Sequence, residues 1–255
     1  MFRSIPFIFI FFLYFQSEVF CWGVSPSRYT IKEGDKHYYH LDINAANTTT
    51  ATPIEVTAAR RAVDKYGRES WEPIEDRFLI YPSLCVVPPG GSQKVRVFWK
   101  GNFKDTREEE AYRIIVQSLP VDLNKDRIDE VREGVKIGLN VLKKYVTSLF
   151  VEPKKAQAKL VIKSHSVTEL DEGKGIVVNL KNLGNKHITL IDYILVLSSG
   201  RHLFEIDRKH ISQTNSASTL LPFHEMEWIV PIPADLPKDF DLEACKLTMK
   251  VLKSR

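Results

Sequence analysis

"SLCVVPPGGSQKVRVFWKG", residues 83–101, holds two extended runs joined by a Pro88-Pro89-Gly90-Gly91 turn. In the second run Val95, Val97 and Trp99 alternate with Lys94, Arg96 and Lys100. Successive side chains of a strand point to opposite faces, so this alternation predicts an antiparallel strand with one face in a core and one in water. The same pattern spreads outward along the chain. Ser27 to Ile31 stops at Glu33-Gly34, and then come Tyr39/Leu41/Ile43, Ile54/Val56/Ala58, Phe78/Ile80 and "AYRIIVQSLP" (111–120). Short alternating runs with a turn signal every dozen residues predict an immunoglobulin-like sandwich.

The longest run, "VKIGLNVLKKYVTSLFV" (135–151), is of a different kind. Val135, Ile137, Leu139 and Val141 share one parity, and Tyr145, Thr147, Leu149 and Val151 continue it. A strand of that length would reach about 55 Å, where sandwich strands usually have about 5 to 6 residues. Two readings are open: Val135 to Val141 bends over its own core or forms a separate strand, or it projects past the sandwich as an apolar edge made for a partner. Between this run and "AYRIIVQSLP" lies the charged stretch "DLNKDRIDEVREG" (122–134), whose composition favours a loop that orders on binding.

Pro153-Lys154-Lys155 interrupts the strands, which resume as "AKLVIKS", "GIVVNLKNLG", "ITLIDYILVL", "MEWIVPIP" and "CKLTMKVLK". A hinge there would separate an N-terminal domain, residues 22–153, from a smaller C-terminal β-sandwich, residues 154–255. The first 21 residues read as a signal peptide: Arg3 precedes the apolar "IPFIFIFFLYF", and Val19 and Cys21 stand at the −3 and −1 positions of a cleavage site. No later segment reaches the roughly 18 apolar residues of a spanning helix, so the mature protein is expected to be exported without membrane insertion.

The 36 basic and 32 acidic residues are scattered, which argues against nucleic acid as a partner. Cys85 and Cys245 fall in different predicted domains and read as separate buried thiols. His37 and His40, the closest of seven histidines, sit on opposite faces of a strand and do not suggest a metal site. Gly173-Lys174-Gly175 lacks the remainder of a phosphate loop and reads as a hairpin turn. Neither a nucleophile elbow nor a redox cysteine pair is present, so no enzyme and no cofactor is expected.

In chain order, "GVSPSRYTIKEG", "YPSLCVVPPGGSQKVRVFWKG", "YRIIVQSLP" and the long strand ending "SLFVEP" resemble the periplasmic chaperones of chaperone–usher pilus assembly. "VRVFWKG" followed by "EEEAYRIIV" is most similar to the alternate-type chaperones of the common pilus and class 5 fimbriae. The resemblance implies two immunoglobulin-like domains in a boomerang arrangement. It also implies a periplasmic protein that caps pilin subunits by donor-strand complementation, delivers them to an outer-membrane usher, and can cap itself as a dimer when free. On that basis Ile137, Leu139 and Val141, with Val135 as a fourth, are the expected donor-strand pocket residues.

The resemblance further implies two basic residues holding the subunit's C-terminal carboxylate. Arg28 matches the first, but Ser148 stands at the usual lysine position and Glu152 where an arginine is often found. Lys144 shares the parity of Ser148 at a distance of about 13 Å along the strand. Arg113 is the nearer substitute if Tyr112, Ile114 and Val116 face the core, because Arg113, Ile115 and Gln117 then face outward. An Arg28/Arg113 clamp and an ordinary solvated arginine are the two readings of that position. The alternative for the whole chain is a two-domain immunoglobulin-like surface protein, structural or adhesive, which needs neither Arg28 nor an overlong strand.

Overall fold

The computed structural model describes residues 22–46, 48, 50–120, 142–171, 173–206, 219–237 and 239–252. The expected signal peptide, the 122–134 stretch and all four donor-strand residues, Val135, Ile137, Leu139 and Val141, lie outside the described residues. Within them the chain is all-β, relieved only by a 3₁₀ turn at Leu190–Asp192. No described helix is long and apolar enough to cross a membrane.

Among the described residues ten strands precede the linker: β1 (Gly23–Ser25), β2 (Arg28–Lys32), β3 (Tyr38–Asn44), β4 (Thr52–Val63), β5 (Glu69–Pro73), β6 (Phe78–Tyr81), β7 (Leu84–Val87), β8 (Ser92–Trp99), β9 (Glu110–Ser118) and β10 (Lys144–Glu152). One sheet has the order β1-β3-β8-β6, the other β2-β10-β9-β4-β5. β7 joins the outer edge of β4 ahead of β5, pairing Thr52 to Glu55 where β5 pairs Ala59 to Val63. β10 runs antiparallel to β9 from Lys144 to Val151 and parallel to β2 from Ser148 to Glu152, so it is paired on both sides from Ser148 to Val151.

The alternation read from the sequence is the packing between these sheets. Leu41 and Ile43 from β3, Val95, Val97 and Trp99 from β8, Tyr112, Ile114 and Val116 from β9, and Leu149 and Val151 from β10 are buried together in one core. Each fully buried aliphatic side chain stabilises the sandwich by about 1.5 to 3 kcal/mol. The turn of the opening stretch closes on itself, the Gly91 N–H donating to the Pro88 carbonyl at 3.0 Å. A Cβ on Gly91 would stand 2.6 Å from Pro88 Cγ, so no side chain fits there.

Two expectations need correction. Residues 59–77 carried no strand in the sequence reading, yet β4 continues to Val63 and turns back as β5. The reversal is built on Asp64, whose Oδ1 accepts the N–H groups of Tyr66 and Arg68, both at 2.9 Å, and on Gly67 with φ 79°. Cys85 is only half-buried; Cys245 is buried, and both are free thiols.

After the linker come β11 (Leu160–Leu170), β12 (Gly173–Asn182), β13 (Ile188–Thr189), β14 (Tyr193–Ser199), β15 (His202–Ile206), β16 (Thr219–Leu220), β17 (Glu225–Pro231) and β18 (Lys246–Val251). They form the sheets β11-β12-β17 and β15-β14-β18, with β13 and β16 as a separate pair. The predicted strand "ITLIDYILVL" is split by the 3₁₀ turn. Ile176, Leu180, Leu195, Leu197, Trp228 and Val230 fill a second core.

That second core also takes Val63, Ala111 and Phe150 from the first sandwich. Phe150 lies flat on His187, ring centroids 4.1 Å apart and 12° from parallel. Beside the stack the side chain of Glu109, fully buried, receives the His187 backbone N–H at 3.1 Å and meets its ring Nδ1. Glu152 pairs with Lys186 at 2.8 Å, which gives the acid that departs from the family pattern a partner across the seam.

Candidate functional site

The outward face of the second N-terminal sheet carries the candidate site. Ser148 of β10 is opposite Arg28 of β2 on one side and Arg113 of β9 on the other, and Arg113 is in turn opposite Ala59 of β4. Residues opposite one another in neighbouring strands share a face. Arg28, Ser148 and Arg113 therefore make one lateral row, the two arginine backbones about 10 Å apart across two strand spacings. Parity placed Arg113 correctly. Tyr112, Ile114 and Val116 are fully buried in the core, while Arg113 and Gln117 are half-buried on the outer face. Ile115, on that same outer face, is buried as well.

Arg113 is not a solvated strand arginine. Its side chain is only 15% exposed, and its Nε and Nη2 donate to the two carboxylate oxygens of Glu69 at 2.5 and 2.6 Å. Its Nη1 donates to the Ser148 hydroxyl. Arg61, its side chain 5% exposed, donates from Nε to Glu69 Oε2 at 2.9 Å, and the Trp71 indole N–H donates to Oε1. One carboxylate is thus gripped by two guanidiniums and an indole, with Arg113 in the two-point geometry that only arginine offers.

Burial alone would raise the Glu69 carboxyl, but hydrogen bonds from Arg113 and Trp71 and the charges of Arg61 and Arg113 outweigh it and hold the carboxyl below the ordinary range. Burial, then the neighbouring Arg113 charge, pull the Arg61 guanidinium down against the opposing pull of Glu69; Arg28 adds to the repulsion. An arginine starts so high that it stays charged. The patch holds two guanidiniums on one carboxylate, with Arg28 at the other end of the row.

Arg28 is exposed, 5.7 Å from the Phe150 ring centre. It lines a cleft of 400 Å³ with Lys32, Glu152, Lys186 and His187, between the two halves of the chain. Lys144 shares the outer face but lies four residues from Ser148, its ammonium 5.4 Å from the Trp71 ring centre. Glu69, Arg61 and Trp71 are absent from the sequence reading because the hairpin that carries them was not recognised. "DKYGRES" (64–70) is the signal that could have found it, an Asp-initiated, Gly-containing turn between a strand and "ESWEP".

The model of the family described as "Pili and flagellar-assembly chaperone, PapD N-terminal domain" matches residues 23–157, more than half of the chain. The chain belongs to this family of PapD-type pilus-assembly chaperones. They are not enzymes. No curated protein sequence matches this PapD-type chaperone.

Among solved structures it is similar to the class 5 fimbriae chaperone CfaA, at 12% identity and a TM-score of 0.54, over 91% of this chain and 99% of that one. It is also similar, at 14% identity and a TM-score of 0.53, to a chain of the CsuC-CsuE chaperone-tip adhesion subunit pre-assembly complex from the archaic Csu pili of Acinetobacter baumannii, over 84% of this chain and 89% of that one. At such identities the likeness speaks for the fold: two immunoglobulin-like domains, as the sequence predicted.

Proposed function

We propose that this chaperone caps pilin subunits in the periplasm by donor-strand complementation, with Arg28 and Arg113 as the anchor for the subunit's C-terminal carboxylate. The observation that carries the reading is the Arg28–Ser148–Arg113 row, which sets two guanidiniums on one face of three adjacent strands beside the cleft between the two halves. A subunit lacking its last strand exposes an apolar groove that would aggregate if left open. The strand from Val135 to Val141 pairs its backbone with that groove while Ile137, Leu139 and Val141, with Val135 as the fourth, fill its pockets. The carboxylate anchor fixes the register of that pairing, since a slip of one residue would turn every apolar side chain to the wrong face. Lys144 supports the anchor from outside the row.

On this reading residues 1–21 are removed on export, the two domains join at Pro153-Lys154, the complex is delivered to an outer-membrane usher, and the free chaperone can shield its own donor strand in a dimer. The test is co-expression with a pilin subunit, measuring subunit recovered from the periplasm. Arg113→Ala and Arg28→Ala are each expected to reduce recovery about tenfold, as the loss of a charge-assisted bidentate contact implies. Leu139→Asp is expected to abolish it, and unchanged recovery in the arginine variants would overturn the anchor.

A further inference from the structure

We propose that Glu69 is the positioning residue of the carboxylate anchor, holding the Arg113 guanidinium in the one orientation that serves the row. The inference rests on the anchor reading above and adds a residue that neither the resemblance nor the alternation brings out.

A guanidinium has five N–H groups, two of which form a side edge from Nε and Nη2. Glu69 takes that side edge, and one N–H of Nη1 goes to Ser148. Two N–H groups remain, one on Nη1 and one on Nη2, for an incoming carboxylate. Ser148 accepts from Arg113 and so keeps its own O–H as a donor for the same ligand. The serine that replaces the expected lysine thus becomes a neutral donor between two arginines.

Glu69 does not serve as a removable placeholder. Its oxygens receive Arg113 twice, Arg61 and Trp71, which uses the four acceptor positions of a carboxylate. Expelling it would leave Arg61, 5% exposed, as a buried charge without its acid. Nor does it cancel the attraction for an anion: Arg28, Lys32 and Lys186 stand against Glu152 and Asp192 in the cleft, and Arg61 and Arg113 stand against Glu69 beside it, so positive charge stays in excess. Glu69 sits at the start of an edge strand, opposite Val63, whose side chain packs into the C-terminal core. The orientation of Arg113 is thereby referred to the seam between the halves.

Charge and positioning make opposite demands on Glu69→Gln. By charge alone the variant is more positive and binds a carboxylate more tightly; by positioning it loses the grip on Arg113 and binds more weakly. The experiment follows the Arg113 Nε–H resonance of arginine-labelled chaperone during titration with N-acetylvaline, a minimal C-terminal carboxylate, and with N-acetylvalinamide. In the wild type the acid is expected to give a saturable shift and the amide none. In Glu69→Gln the dissociation constant for the acid is expected to rise about tenfold, as for a bidentate contact loosened at its support. Glu69→Asp, which keeps the charge but shortens the reach, is expected to weaken binding as well. Unchanged or tighter binding of the acid in both variants overturns the role of Glu69 while leaving the anchor standing. Equal responses to acid and amide in the wild type overturn the anchor itself.

Discussion

Arg113 shows how far the chemistry of one side chain depends on residues distant in sequence. Its guanidinium is gripped from 44 positions away by Glu69, which is itself shared with Arg61. The depressed Glu69 carboxyl ties this cluster to pH with a definite sign. A carboxyl lowered by folding adds stability that is fully present above its unfolded value, near about 4.3, and is lost as pH falls through the lower folded value. Urea unfolding of the wild type and Glu69→Gln at a series of pH values is expected to show a midpoint advantage for the wild type that is constant at neutral pH and shrinks below about pH 4. An advantage that persists undiminished at about pH 2 would mean that the Glu69 charge contributes nothing.

At the scale of the element, β9 divides its labour by parity. Ile114 is fully buried between the sheets, whereas Gln117 lies on the outer face, donating to Glu55 at 3.0 Å. Ile114→Ala is therefore expected to destabilise the protein by about 2 to 5 kcal/mol, the cost of a cavity in a close-packed core. Gln117→Ala is expected to change stability by no more than about 0.5 kcal/mol, as a surface substitution. Equal shifts in urea midpoint would contradict the assignment of faces. β10 obeys the same rule over Tyr145, Thr147, Leu149 and Val151, all on the core side, with Ser148 and Phe150 turned outward. Alternation was legible in both strands because one face meets the core along its whole length, whereas the outer face is buried only locally, at Ile115 and at Phe150. The β4–β5 hairpin offered only its Asp- and Gly-containing turn as a signal, because the strand "ESWEP" has no apolar alternation: four of the five residues of β5 are exposed. Pairing with β4 alone makes it a strand, and pairing leaves no trace in the side-chain pattern of an exposed edge.

For the whole molecule the seam between the halves decides what the parts do together. Phe150, fully buried, belongs to the C-terminal core although it stands on an N-terminal strand, and its ring is stacked on His187. Removing it with Phe150→Ala leaves a cavity of aromatic size at the junction, at a cost of about 3 to 5 kcal/mol. Calorimetry is expected to show one unfolding transition in the wild type and two in the variant; a single transition in both would mean that the halves are coupled elsewhere. The sequence by itself determined the fold class, the two β-rich halves, the core faces of the strands and the outward direction of Arg113, because each follows from the period-two geometry of a strand against a core. Only the tertiary structure decided what Arg113 meets. The Arg28–Ser148–Arg113 row arises from the register of three strands, and the Glu69 grip from an edge hairpin folded beside them. Register and long-range pairing are set by the packing of the whole sheet, and no local pattern in the chain records them.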